Sequence, residues 1–267
     1  MWLRVGCEFV HELDVAVHAV IQVEPRLDGR FRLRSERWSS EPDLASSQYM
    51  DTFGNLCRRL DLPVGKSVLR YDTLVELVRE ADPAWPAAPE VAPSDLPDEA
   101  LAFTLPSRLC PSDELAPEAF ERFGDITPGW GRVQAINDWV NAEVHFSFGS
   151  TSITTASDVL EARKGVCRDF AHLAITFCRA LGIPARYAFG YLPDIDVEPP
   201  DEPMDFCAWM EVFLGGEWWT FDPRNNRRRI GRVLIGRGRD ALDVAMLTTF
   251  GAAPLQSMVV WAEESMR

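Results

Sequence analysis

The stretch Gly165-Val166-Cys167-Arg168-Asp169-Phe170-Ala171-His172-Leu173 decides how this chain is read. Phe170, Leu173, Ala174, Phe177, Cys178 and Leu181 fall at helical spacing, and Gly182-Ile183-Pro184 stops the run. A glycine-led loop therefore delivers Cys167 to the start of a long helix. The unpaired N–H groups and the dipole at a helix N-terminus favour an anion. A thiolate placed there has a lowered pKa and is a better nucleophile near neutral pH. The same N–H groups can stabilise the oxyanion formed when the thiolate attacks a carbonyl. Cys178, inside the apolar stripe of the helix, reads instead as a buried structural cysteine.

Downstream, segments 185–191, 207–214 and 217–222 read as strands, and the last two flank Gly215-Gly216, a two-residue hairpin turn. With that turn, Leu214 faces Glu217, Val212 faces Trp219 and Trp209 faces Asp222. Side chains alternate along a strand, so Cys207, Trp209 and Asp222 share one face, with Cys207 the diagonal neighbour of Asp222 at roughly 7–8 Å between Cα atoms. Glu211 shares this face and is expected to pair with an arginine. Trp209, Trp218 and Trp219 read as core.

The helix block, continued by Cys178-Arg179-Ala180-Leu181-Gly182-Ile183-Pro184-Ala185-Arg186 and Gly190-Tyr191, resembles the core of the bacterial transglutaminase-like superfamily. The blocks Asp205-Phe206-Cys207-Ala208-Trp209-Met210-Glu211-Val212 and Trp218-Trp219-Thr220-Phe221-Asp222-Pro223 are similar to its second conserved region. The resemblance covers residues 98–267. It implies an α+β fold: a papain-like, transglutaminase-like core in which the nucleophile helix packs on an antiparallel sheet. It also implies Cys167 as nucleophile and Asp222 as the carboxylate. The family's histidine falls at position 207, where this chain has cysteine. The candidate catalytic residues are thus Cys167, Cys207 and Asp222. A thiol cannot protonate a leaving amine as imidazolium does, and losing general acid–base catalysis costs about 10²–10⁴ in rate.

The other histidines offer no obvious substitute. His11 and His18 belong to the first part of the chain. His172 lies five residues past Cys167, about 140° around the helix, and reads as a structural, hydrogen-bonded histidine. His145, in the extended stretch Val144–Phe148, is a minority candidate for lining the cleft.

Upstream, Val15–Val23 reads as a strand ended by Pro25. Leu27-Asp28-Gly29-Arg30 and Asp51–Asn55 read as turns, and Phe31–Arg34 and Val64–Tyr71 as further strands. Short strands with regular turns suggest a β-sandwich-like N-terminal domain. Prolines 83, 86, 89, 93 and 97 exclude helix and central strand between them, which places the boundary there. The expected division is 1–94 for the sandwich and 95–267 for the core. Residues 114–123, 131–144 and 155–162 read as helices, the last capped by Thr154 or Thr155.

Acids outnumber bases 41 to 27, giving a net charge of −14, which argues against a nucleic-acid partner. The one basic run, Arg224–Arg229, reads as a solvated loop. No stretch approaches the ~20 apolar residues of a membrane span, and the first residues lack a signal-peptide pattern, so the expected location is cytoplasmic. Six scattered cysteines without a C-x-x-C pair fit neither a disulfide scaffold nor a zinc ribbon. No cofactor or metal motif is found, and calcium use is not expected. Three functional readings stay open. The first is thiol-dependent hydrolysis or acyl transfer on a peptide, protein or other amide-bearing substrate. The second is an inactive relative serving as a binding or scaffold module. The third is a redox or metal site made by Cys167 and Cys207 together.

Overall fold

Odd-numbered residues of the first strand, β1 (Trp2–Leu13), point inward. Leu3, Val5, Cys7, Phe9, His11 and Leu13 are buried, while Arg4, Glu8 and Glu12 lean towards solvent. This period-two pattern half-buries a sheet, and it recurs in the strand Gly65–Leu77, where Ser67, Leu69, Tyr71, Thr73 and Val75 are the buried set. The computed structural model describes residues 1–27 and 30–265. In chain order the remaining strands of the first part are β2 (Val17–Ile21), β3 (Phe31–Glu41), β4 (Ser46–Met50) and β5 (Leu56–Leu62), followed by β6 (Gly65–Leu77). Asp28 and Gly29 of the turn expected at 27–30 lie outside the described residues.

The second part contains α1 (Asp98–Leu101), α2 (Ala116–Phe123), α3 (Trp130–Glu143), β7 (His145–Phe146), α4 (Ala156–Ala162), β8 (Lys164–Gly165) and α5 (Cys167–Ala180). The strands β9 (Ala185–Tyr191), β10 (Cys207–Leu214), β11 (Glu217–Phe221) and β12 (Val233–Gly238) follow, then β13 (Leu247–Thr249) and β14 (Leu255–Glu264). The Thr155 hydroxyl accepts from the Asp158 N–H at 3.2 Å while the Asp158 carboxylate accepts from the Thr155 N–H at 2.8 Å. This capping box starts α4 and selects Thr155 over Thr154 as the cap.

Two four-stranded antiparallel sheets, β14-β1-β6-β3 and β13-β2-β5-β4, face each other as a sandwich. Their strand order runs across the position of residue 94. β13 and β14 would fall in the second part, yet β14 runs along β1 from Leu3↔Glu264 to His11↔Leu255, and β13 pairs with β2. Backbone pairing at such separation leaves no trace in local composition. The third sheet, β11-β10-β9-β12, carries α5 on one face, giving the α+β core.

The proline-rich segment is irregular but docked rather than loose. The Pro89 carbonyl accepts from Gly215 N–H at 2.8 Å, the Ala88 carbonyl accepts from Trp130 N–H at 2.9 Å, and Trp85 packs on Trp219 with ring centroids 6.2 Å apart. One continuous apolar core joins sandwich and third sheet. The buried Tyr191 hydroxyl crosses between them, donating to the Val23 carbonyl at 2.8 Å. Among the described residues no helix is long and apolar enough to cross a membrane.

Candidate active site

Cys167 is the first residue of α5, and the loop before it is shaped by Asp169. The Asp169 carboxylate is fully buried and accepts the Val166 N–H at 2.8 Å, satisfying one donor that the helix cannot. Arg168 Nε and Nη2 reach its other oxygen at 3.1 and 3.0 Å. Gly165 is required beside it, because a Cβ there would lie 2.6 Å from the Asp169 Cβ and 2.7 Å from its carboxylate oxygen. The order Gly-Val-Cys-Arg-Asp thus fixes how the backbone enters the helix. It leaves Cys167 on the first turn, where N–H groups lack helical acceptors.

The Cys167 sulfur faces the start of β10 and lies 3.8 Å from the Phe206 carbonyl oxygen. The adjacent Cys207 thiol is its principal partner. Hydrogen bonding from Cys207 holds the Cys167 pKa below the ordinary thiol value, aided by the Ala208 N–H and the positive charge of Arg224, and opposed by burial and by Asp205. Cys207 moves the opposite way. The bond to Cys167, burial and the nearby negative charge of Asp222 push it well above a normal thiol. Of the two thiols Cys167 is therefore the more acidic, and the first proton to leave the pair comes from it.

The hairpin register is as the Gly215-Gly216 turn predicts. Leu214 pairs with Glu217, Val212 with Trp219 and Met210 with Phe221. Both glycines have positive φ, 60° and 90°, as a type I′ turn needs. The ladder ends at Phe221, so Asp222 lies just beyond its last rung. Its carboxylate is buried and fully engaged. Asn225 donates from its backbone N–H at 2.9 Å and its side chain at 2.8 Å, and Arg232 Nη2 donates at 2.6 Å. Arg232 also binds Asp82 at 2.8 Å and stacks 4.8 Å over the ring of Trp209.

Residues 120–223 match the model of the transglutaminase-like superfamily. An uncharacterized protein of Mycobacterium tuberculosis is 31% identical over 250 residues, covering 84% of this chain and 78% of its own. One from Mycobacterium leprae is 29% identical over 238 residues, covering 85% and 83%. The fold is also that of a crystal structure from Cytophaga hutchinsonii named as a proposed cysteine protease, with TM-score 0.87, 31% identity, and coverage of 98% of this chain and 90% of that one. The chain belongs to the transglutaminase-like superfamily.

Within this transglutaminase-like site, no histidine takes the place left at 207. His172 is fully buried in α5 against Tyr187, with ring centroids 5.1 Å apart. Its Nε2 accepts from the Ala241 N–H at 3.1 Å, and burial pulls its pKa down to about 3. His145 is exposed on β7, with no bond to Cys167 among the described residues. His11 is buried in the sandwich and His18 pairs with Asp61 at 2.7 Å. Glu211 has the arginine partner expected of it, and a second one: Arg186 at 2.7 Å and Arg237 at 2.6 Å.

The basic run departs from a solvated loop. Arg227 and Arg228 are exposed, but Arg229 is buried against Asp194 at 2.7 Å, and Arg224 stacks 4.0 Å over Phe146. A cavity of about 250 Å³ borders Asp222, walled by Asp82, Trp130, Asn137 and Phe221; neither sulfur lines it. Among the described residues no three His, Cys, Asp or Glu side chains are grouped to hold a metal ion.

Arg232, Asn225 and Asp82 escaped the sequence reading. Asn225 had a local signal, since Asp222-Pro223-Arg224-Asn225 is a turn sequence in which Asp accepts from the backbone three residues on. Arg232 reaches Asp222 from the edge strand β12 side of the sheet and carried none.

Proposed function

We propose that this chain is a thiol acyl-transfer enzyme whose Cys167 takes acyl groups from activated carbonyls, thioesters or esters borne by a peptide or protein, and passes them to water or another nucleophile. The observation that carries this reading is the placement of Cys167 on the first turn of α5 against the start of β10, where hydrogen bonding from Cys207 lowers its pKa. With Cys207 donating to it, Cys167 is the more readily ionised thiol of the pair, and its thiolate forms without a histidine beside it. Attack on a carbonyl would leave an oxyanion near the first-turn N–H groups of α5.

The same arrangement disfavours amide cleavage. A leaving amine needs a proton, and Cys207 is too weak an acid to supply it while Asp222 is committed to Arg232 and Asn225. A thiolate or activated alkoxide leaves without one. The commitment of Asp222 also supports a second reading, a binding module that has lost the chemistry.

Incubation with a peptide thioester separates the two. Under the first reading an acyl adduct appears on Cys167, and turnover disappears in Cys167→Ala. A folded protein that binds the peptide but never acquires the adduct belongs to the second.

A further inference from the structure

Of the six cysteines, Cys7, Cys57, Cys110 and Cys178 are buried, and the two with solvent access are Cys167 and Cys207. These two also adjoin: the Cys167 sulfur, on the first turn of α5, lies 3.8 Å from the carbonyl of Phe206, the residue joined to Cys207 at the start of β10, and the two thiols share a hydrogen bond. Their acidities are split, one lowered and one raised, by the hydrogen bond they share. That division of labour suits thiol–disulfide exchange, which needs an attacking thiolate and a second thiol held back to resolve the mixed disulfide. A metal would need further ligands, and the carboxylate beside Cys207, Asp222, is already engaged by Asn225 and Arg232.

We propose that Cys167 and Cys207 form a redox dithiol that low-molecular-weight disulfides oxidise to an intramolecular disulfide, reversibly switching off the Cys167 nucleophile. The proposal rests on the reading of Cys167 as the reactive thiolate. In the first step the Cys167 thiolate attacks one sulfur of a disulfide RSSR, forming Cys167–S–SR and releasing RS⁻. The Cys207 proton passes to that thiolate, giving RSH. The Cys207 thiolate then attacks the Cys167 sulfur, forming the Cys167–Cys207 bond and expelling a second RS⁻. The protein loses two electrons, RSSR gains them, and one proton is accounted for on each side. Closure needs a Cα separation below ~7 Å and a shift of the sulfurs to about 2.05 Å.

The test uses the full-length, fully reduced protein and oxidised glutathione at neutral pH, with intact mass, peptide mapping and iodoacetamide alkylation as readouts. Wild type is expected to lose the mass of two hydrogens, to yield a 167–207 crosslink reversed by dithiothreitol, and to lose thioester turnover while oxidised. Cys207→Ser is expected to stop at a glutathione adduct on Cys167. The proposal is overturned if wild type halts at the adduct, or if the crosslink forms only in urea. If Cys167 alkylates readily yet neither adduct nor crosslink forms, the redox proposal falls and the acyl-transfer reading stands. If Cys167 does not alkylate in the folded protein, both fall.

Discussion

Arg232 holds Asp222 at 2.6 Å with both side chains buried, the guanidinium 7% and the carboxylate 1% exposed. The pair spans the end of the β11 strand and the approach to β12, and Asp82 at 2.8 Å makes it a triad. Removing the arginine leaves two carboxylates buried near one another without a cation. Arg232→Met is therefore expected to destabilise the fold by about 3–5 kcal/mol, read as a lower urea midpoint. A loss under about 1 kcal/mol would mean that water reaches Asp222 freely.

The negative charge of Asp222 that disfavours a thiolate at position 207 would favour an imidazolium there. Cys207→His is thus expected to restore a proton-bearing partner to Cys167. Iodoacetamide alkylation of Cys167 should have its midpoint at lower pH than in wild type, and amide-directed activity should appear. An unchanged titration in a folded variant would show that a side chain at 207 does not control Cys167.

Gly165 is expected to resist even the smallest substitution. The added methyl of Gly165→Ala would meet Asp169 at 2.6–2.7 Å and push its carboxylate off the Val166 N–H. Overpacking of this kind costs about 1–3 kcal/mol, and Cys167 alkylation should slow as the helix start shifts. Near-wild-type stability with unchanged alkylation would mean the loop relaxes around the methyl.

His172 predicts a specific acid sensitivity. Its folded pKa of about 3 lies below the ordinary 6.5, so the unfolded chain binds a proton that the folded one refuses. This contribution to stability is complete above pH 6.5 and is lost as pH falls towards 3, by up to about 1.4 kcal/mol per unit. His172→Gln, which keeps an acceptor for the Ala241 N–H, should flatten the fall in urea midpoint between pH 6.5 and 4. Parallel curves for variant and wild type would contradict this.

What could be read in advance was local. The helix start at Cys167 and the hairpin register followed from Gly165 and Gly215-Gly216, whose backbone demands act within a few residues. The meeting of Cys167 with residue 207 followed once family resemblance set the helix against the strand. What escaped was non-local. Arg232 looks like any surface arginine until the sheet closes over it. Arg229 sits in a basic run that composition assigns to solvent, yet Asp194 draws it inside. β14 reads as one more amphipathic strand, and only assembled packing reveals β1 as its partner.

That last pairing bears on the order in which the molecule can form. β1 is flanked by β6, an early neighbour, and by β14, from the far end of the described chain. While the chain emerges during synthesis, β1 exposes an unpaired edge, and Gly6, against which Trp261 later packs, lies bare. The sandwich therefore cannot finish before the thiol-bearing layer between its strands has been laid down. Loop closure over such a span is slow, and an open strand edge invites pairing with another chain. The segment carrying Trp261 acts as the final latch, and a nascent chain lacking it is the species most in need of protection from its neighbours.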